Sequence, residues 1–314
     1  MSVPFLPMKT MIPGASFHVL HVTEYEYAFP VSLSQQLLQL KPRAFQFQEC
    51  LVHEVRVSPV PSERHDALDF FGNHRQYLSI ADPHEKLIVS AESTLKLVAR
   101  PGGELLAHSK PWEAVRDILR EISRPLNNDP QGLEPIKFLY ESPHVLLSEE
   151  LRSYARQSFT PGQTVLGGAL ELTHRIHREF TFDAQATDIS TPLSELLRIR
   201  RGVCQDFAHL MIGCLRSLGL SCRYVSGYIL TNPPPGMPRL VGADASHAWV
   251  SVYCPSIGWV DFDPTNRCMV NLAHVTLGWG RDFSDVTPMR GIVLGGGEQA
   301  LEVQVTVTPL FPAL

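Results

Sequence analysis

Gly202-Val203-Cys204-Gln205-Asp206-Phe207-Ala208-His209-Leu210-Met211 is the stretch on which the fold turns. Apolar residues at 207, 208, 211, 212, 215 and 218 follow Cys204 at the spacing of one helical face. A helix beginning after Gly202 therefore carries Cys204 at its tip, on the side that meets the core. Unpaired backbone N–H groups and the positive end of the helix dipole gather there. Both favour a thiolate, and Arg200 and Arg201 lie immediately upstream. The same N–H groups can receive an oxyanion. The plain alternative is a buried cysteine that only packs.

A thiol nucleophile needs a base. In Ser246-His-Ala-Trp-Val-Ser-Val-Tyr253, alternation puts His247, Trp249, Ser251 and Tyr253 on one face of a strand. Cys254-Pro-Ser-Ile-Gly258 reads as a turn, and Trp259-Val-Asp-Phe-Asp263 returns with Trp259, Asp261 and Asp263 on one face. Two hairpin registers are open. If Tyr253 meets Ile257, His247 stands opposite Asp263; if Tyr253 meets Trp259, the two are diagonal. Either way they share a face, with β-carbons about 4.5–5.5 Å or about 7–8 Å apart. A carboxylate there can fix the imidazole tautomer and support its charge. Asp261 shares the face and is the weaker alternative. Taken singly, His247 reads as a strand residue and Asp263, before Pro264, as a turn former.

The order Cys204, His247, Asp263 carries a resemblance. Gly202-Val-Cys-Gln-Asp-Phe-Ala-His-Leu210, Ala245-Ser-His-Ala-Trp-Val250 and Gly258-Trp-Val-Asp-Phe-Asp-Pro-Thr265 resemble the three core motifs of the transglutaminase-like superfamily. That likeness implies a papain-like α+β core and a Cys204–His247–Asp263 triad. His21-Val-Thr-Glu-Tyr-Glu-Tyr27 with Leu38-Gln-Leu-Lys-Pro-Arg43 resembles the β domain that precedes the core in bacterial members, and Gly280-Arg-Asp-Phe-Ser-Asp-Val286 the segment that follows the triad. Animal crosslinking transglutaminases have Gln before the nucleophile and Trp after it. Val203 and Gln205 stand there instead, which suits the bacterial branch of peptidases and amidases.

The resemblance implies thiol acyl transfer on peptide or side-chain amide bonds, as a cysteine protease or amidase, with no cofactor. Crosslinking, deamidation and a non-catalytic binding module are the alternatives. A metal site at Cys204, His209, Cys214 and Cys222 is disfavoured, because positions 204, 209 and 214 fan around the helix axis. Trp249 and Trp259 are candidate substrate-binding walls, or equally buried aromatics of the sheet. Arg281 and Asp282 are candidate cleft residues, set against a solvated loop with local ion pairs.

Outward from the core, residues 17–100 read as short alternating strands, 17–27 and 36–40 among them, of an antiparallel β-sandwich-like domain. Its histidines 18, 21, 53, 65, 74 and 84 show no metal-ligand spacing. Its three candidate roles are restricting access to the cleft, binding substrate and forming a homo-oligomer. Residues 1–16 read as a loose tail, 101–162 as a helical connecting segment broken by Pro125, Pro130, Pro135 and Pro143, and 163–270 as the catalytic core. Residues 271–314 read as a C-terminal extension with a Gly-rich loop region over 278–297 and a last strand over 301–308.

The whole chain has 314 residues, 44% hydrophobic and 19% charged, with a net charge of −5. That is material for about two globular domains. The mildly acidic balance speaks against nucleic acid and anionic membrane as partners; a peptide or protein substrate is what the resemblance implies. No run reaches the roughly 18 apolar residues of a membrane span, and the N-terminus lacks the pattern of a secretory signal. A cytoplasmic protein with six reduced cysteines is expected.

Overall fold

The computed structural model describes residues 14–124, 133–231 and 245–310. The expected N-terminal tail therefore lies outside the described residues, apart from Gly14–Ser16, as do Pro125 and Pro130.

Five strands come first: β1 (Gly14–Leu38), β2 (Gln48–Ser58), β3 (Glu63–Leu68), β4 (His74–Ile80) and β5 (His84–Val98). Helices α1 (Glu104–His108), α2 (Trp112–Ile122), α3 (Glu149–Arg156) and α4 (Val165–Glu179) follow. Next come the short β6 (Thr181–Phe182), α5 (Leu193–Ile199), the short β7 (Arg201–Gly202) and α6 (Cys204–Ser217). The chain continues with β8 (Cys222–Ile229), β9 (Ala245–Cys254), β10 (Gly258–Asp263), β11 (Cys268–Met269), β12 (His274–Gly280), β13 (Met289–Gly295) and β14 (Gln299–Pro309).

The β domain is an antiparallel sheet organised around β1. The segments expected as separate strands at 17–27 and 36–40 are one 25-residue strand. Its pairing with β5 shifts between Glu26 and Val31. Pro30 sits in that interruption, where a residue without an N–H takes no bond from the ladder. Before it, β1 lies between β5 and β14; after it, between β4 and β13. Leu78 and Ile80 of β4 share a core with Leu87, Val89 and Ala91 of β5 and Val57 of β2. The sheet thus doubles back along β1 and packs on itself, which is the sandwich-like arrangement.

The second unit is a five-stranded antiparallel sheet in the order β11-β10-β9-β8-β12. Phe207, Leu210, Met211, Cys214 and Leu215 of α6 share its core with Val250, Val252, Val260 and Phe262. The periodicity of α6 predicts one apolar face, yet the helix is buried from Asp206 to Ser217. The reason is that α3, α4 and α5 cover its other sides. The described residues of the 101–162 segment are part of this unit rather than a connector: Trp112, Val115, Leu119, Val145, Leu151 and Tyr154 belong to the same core.

Two boundaries differ from expectation. The core does not end at 270, because β12 forms the edge of its sheet beside β8. Nor is the remainder an extension: β13 and β14 return to flank β1 and complete the β domain. The 278–297 region is mostly strand and a short 3-10 turn at Phe283–Asp285. Its glycines act as a turn only at 295–297, where φ values of 94°, 85° and 67° link β13 to β14.

The two units are joined by shared side chains. Phe17, Val19, Leu95, Leu97, Val305 and Val307 pack with Tyr228, Val275 and Leu277. The Arg43 guanidinium lies 3.7 Å from the Trp279 ring centre, and Arg223 lies between Trp279 at 3.7 Å and Trp259 at 4.2 Å. Arg100 forms an ion pair with buried Asp261.

Candidate active site

The site is assembled where the tip of α6 meets the start of β9 and the end of β10. Asp206 sets the helix start: its Oδ2 accepts from Val203 N at 2.8 Å and from Thr187 Oγ1 at 2.6 Å. Gly202 is needed beside it, since a β-carbon there would stand 2.6 Å from the same oxygen. Cys204 is left half-buried at the first position of the helix. Arg200 and Arg201, expected to favour the thiolate, are each held by an acidic partner. Arg200 pairs with Glu179 at 3.3 Å and Arg201 with Asp183 at 2.8 Å, both towards solvent.

The β9–β10 hairpin takes the register Trp259–Tyr253, so His247 and Asp263 are diagonal neighbours. His247 Nε2 lies 2.7 Å from Asp263 Oδ2. The Cys204 thiol is the other group whose interaction favours the charged form of this imidazole. Burial works against the imidazolium, but the interactions with Asp263 and Cys204 outweigh it and push the His247 pKa up to about 10.

Asp263 is fully buried and takes five hydrogen bonds. Oδ1 accepts from Thr265 N at 2.9 Å and Asn266 N at 3.1 Å. Oδ2 accepts from His247, from Asn266 Nδ2 at 2.7 Å and from His274 Nε2 at 3.0 Å. Turn former and imidazole partner are thus both correct readings, one for each oxygen. Desolvation alone would raise the carboxyl pKa; the two imidazoles reverse this and hold it well below the usual range.

His274 was not singled out from the sequence. It sits on β12, and only the pairing of β12 with β8 brings it to Asp263. Its Nδ1 is buried with no hydrogen-bond partner among the described residues. Nε2 carries the ring's bond to Asp263. Asn266 was missed as well, although its place three residues after Asp263 fits a side chain folding back over a turn. Donor atoms of His247, Asp263 and His274 lie within 4.8 Å of one another, a spacing that could also hold a metal ion. Here the same atoms hydrogen-bond one another.

Asp261 is separated from this group. It pairs with Arg100 and accepts from Trp249 Nε1 at 3.1 Å. Trp249 is itself fully buried, edge-on to His274, so it backs the site instead of lining a cleft. Trp259 is packed against Phe138, Tyr253 and Arg223 and bonds Glu134 at 3.0 Å. Four residues along β10 put it about 13 Å from Asp263.

Arg281 lines a separate surface pocket with Phe70, Phe71 and Lys137, and Asp282 is buried beside it. Arg281 grips Asp285 through two 2.9 Å bonds. Asp282 is buried and accepts from His144 N at 2.9 Å and from Ser284 N at 2.9 Å and Oγ at 2.6 Å. Both hold the turn after β12. His209 is buried and accepts from Phe283 N at 3.2 Å.

All six cysteines are free. Burial pushes the Cys214 thiol well up, Cys222 to about 12 and Cys268 to about 11, and raises Cys50. Cys254 is buried. Among the six, Cys204 is the one that interacts with the His247 imidazole.

Comparison with known proteins matches two stretches of the chain. Residues 17–96 match the bacterial transglutaminase-like N-terminal region, and residues 152–264 match the transglutaminase-like superfamily core. An uncharacterized protein of Mycobacterium tuberculosis is 36% identical over 303 residues, 93% of this chain and 92% of that one. A protein-glutamine gamma-glutamyltransferase of Pseudomonas aeruginosa is 31% identical over 120 residues, 38% of this chain and 17% of that one. The crystal structure of a candidate cysteine protease from Cytophaga hutchinsonii has the same fold, with a TM-score of 0.74 over 96% of this chain and 92% of that one, at 19% identity. With both regions matched and a relative of this identity along nearly its whole length, the chain belongs to the transglutaminase-like superfamily.

Proposed function

We propose that the protein is a thiol acyl-transfer enzyme acting on amide bonds of a peptide or protein, with Cys204 as nucleophile, His247 as acid and base, and Asp263 as the group that orients His247. The observation that carries this reading is the 2.7 Å hydrogen bond between His247 and Asp263, with Cys204 at a helix N-terminus acting on the same imidazole.

A His247 that holds its proton at neutral pH has one to give to a leaving amine. The thiolate attacks the amide carbonyl carbon, forming a C–S bond and an oxyanion that the Cys204 backbone N–H can receive. The C–N bond then breaks as His247 gives its proton to the leaving amine. Water, losing a proton to His247, attacks the thioester and releases the acid and the thiolate. Peptidase or amidase action is the principal reading. An amine in place of water gives crosslinking, and the likeness over 120 residues to a protein-glutamine gamma-glutamyltransferase supports this second reading.

Iodoacetamide at neutral pH tests the nucleophile. Cys204 is expected to label well ahead of the other five thiols, and uniform labelling of the accessible ones would remove the basis for the mechanism. Ammonia release from glutamine peptides, with and without an added amine, then separates the readings. Release unaffected by the amine indicates hydrolysis; amine incorporated at the amide indicates transfer.

A further inference from the structure

A cleft of about 480 Å³ lies between the β domain and the core. Gln205 and Ser246, the chain neighbours of Cys204 and His247, are among its lining residues. One wall is a ladder of three cross-strand pairs on β1 and β14: His21 with Val305, Thr23 with Val303, and Tyr25 with Leu301. Phe283, Pro288 and Met289 form part of the opposite side.

The wall has a direction. Val305 is 2% exposed, Val303 47% and Leu301 55%, so the ladder runs outward for about 13 Å at two residues per step. Its deep end is fixed to the core. His21 shares a 2.9 Å hydrogen bond with Tyr228, and Tyr228 pairs with Ser246 across β8 and β9. None of the side chains lining the cleft is Asp, Glu, Lys or Arg. Burial drives the His21 pKa down to about 4, so that ring is neutral as well.

We infer that this cleft is the acyl-donor site, and that it takes an extended peptide segment presenting a large apolar side chain to Val303 and Leu301. The inference rests on the acyl-transfer reading above and gives the β domain the substrate-binding role. An apolar side chain would cover aliphatic surface that the fold leaves half-exposed. A charged one would lose water and meet no counter-charge.

The test uses the full chain and four N-acetyl amino acid p-nitrophenyl esters, of Leu, Phe, Glu and Lys. Attack by the Cys204 thiolate forms the thioester and releases p-nitrophenolate, which is followed by its colour; intact mass then locates the acyl group on Cys204. Each rate is divided by that of the same ester with free N-acetylcysteine. The Leu and Phe esters are expected to acylate Cys204 at least about tenfold faster than the Glu and Lys esters. Val303→Glu, an outward-facing change, is expected to slow the Leu ester about tenfold and to speed the Lys ester several-fold, a gain that misfolding cannot produce. Leu301→Glu, nearer the rim, is the second variant and should act in the same direction less strongly. Equal normalised rates across the four esters, or an unchanged ranking in both variants, would overturn the cleft assignment and leave acyl transfer standing. Failure of every ester to acylate Cys204, together with slow iodoacetamide labelling, would overturn both.

Discussion

His274 Nε2 reaches the same Asp263 oxygen, at 3.0 Å, that His247 Nε2 uses at 2.7 Å. Two imidazoles thus hold one buried carboxylate from two strands, β10's neighbour β9 and the far edge strand β12. In the acyl-transfer reading the carboxylate's orientation sets that of His247. His274 is then a positioning residue: it touches no substrate but limits how Asp263 can turn.

His274→Leu is expected to lower the turnover of a reactive acyl donor about tenfold, in line with the cost of weakening the support of a catalytic group. A carboxylate relieved of one donor also attracts the His247 imidazolium more strongly. The alkaline limb of the pH–rate profile should therefore move upward. A residue serving only stability would lower Tm and leave that limb where it is.

Asp263 and Asp261 lie two residues apart on the same face of β10, and their substitutions should separate cleanly. With His247 at about 10, activity that depends on its proton should persist through neutral pH and fall as pH rises through that value. Asp263→Asn removes the group that raises it, so the limb should drop towards the ordinary histidine range and the rate fall on the order of 10³-fold. Asp261→Asn should leave the limb unmoved, because Asp261 pairs with Arg100 and Trp249 and not with His247.

The Arg100–Asp261 pair itself gives a stability prediction. Both side chains are largely buried, and Arg100 links the end of the β domain to the core sheet. Arg100→Met leaves a carboxylate in the interior short of a cation, a change that costs about 3–5 kcal/mol in comparable pairs. Arg100→Met with Asp261→Asn removes both charges and should recover part of that loss. Urea denaturation of the two variants measures the difference; an equal loss in both would mean that the buried charge is not the cause.

The parts of the site that sequence could reach are those fixed by local rules. Helical spacing places Cys204 at the tip of α6, and alternation puts His247 and Asp263 on one face in either hairpin register. The observed Trp259–Tyr253 pairing only selects the diagonal. His274 had no such signal, since a strand pattern says nothing about which neighbour the strand will find. The same gap hid the return of β13 and β14 to β1: Leu301–Thr308 alternates, but its partner lies nearly three hundred residues earlier. Glycine count misled over 278–297. Gly291 lies within β13, opposite Gln36, where a β-carbon would stand 2.1 Å from the Gln36 side chain. Arg281 and Asp282 looked available because their partners, Asp285 and the His144 and Ser284 amides, are local or belong to a distant loop.

The joint between the two units should weaken in acid. His21 is buried where β1 meets the core and shares 2.9 Å hydrogen bonds with Thr23 and Tyr228. Burial lowers its pKa from 6.5 to about 4. Between those values the unfolded chain binds the proton and the folded chain does not. The contribution of the neutral ring is therefore complete above about pH 6.5 and is lost as pH falls towards 4. At about 1.4 kcal/mol per pH unit this amounts to up to about 3 kcal/mol. His53, also lowered to about 4, and His209, lowered to about 3, act in the same direction. His21→Gln keeps a polar side chain and removes one titration. Its unfolding free energy should be lower than the parent's at pH 7.5, and the gap should narrow by pH 5. A gap constant across that range would show that His21 takes no proton on unfolding.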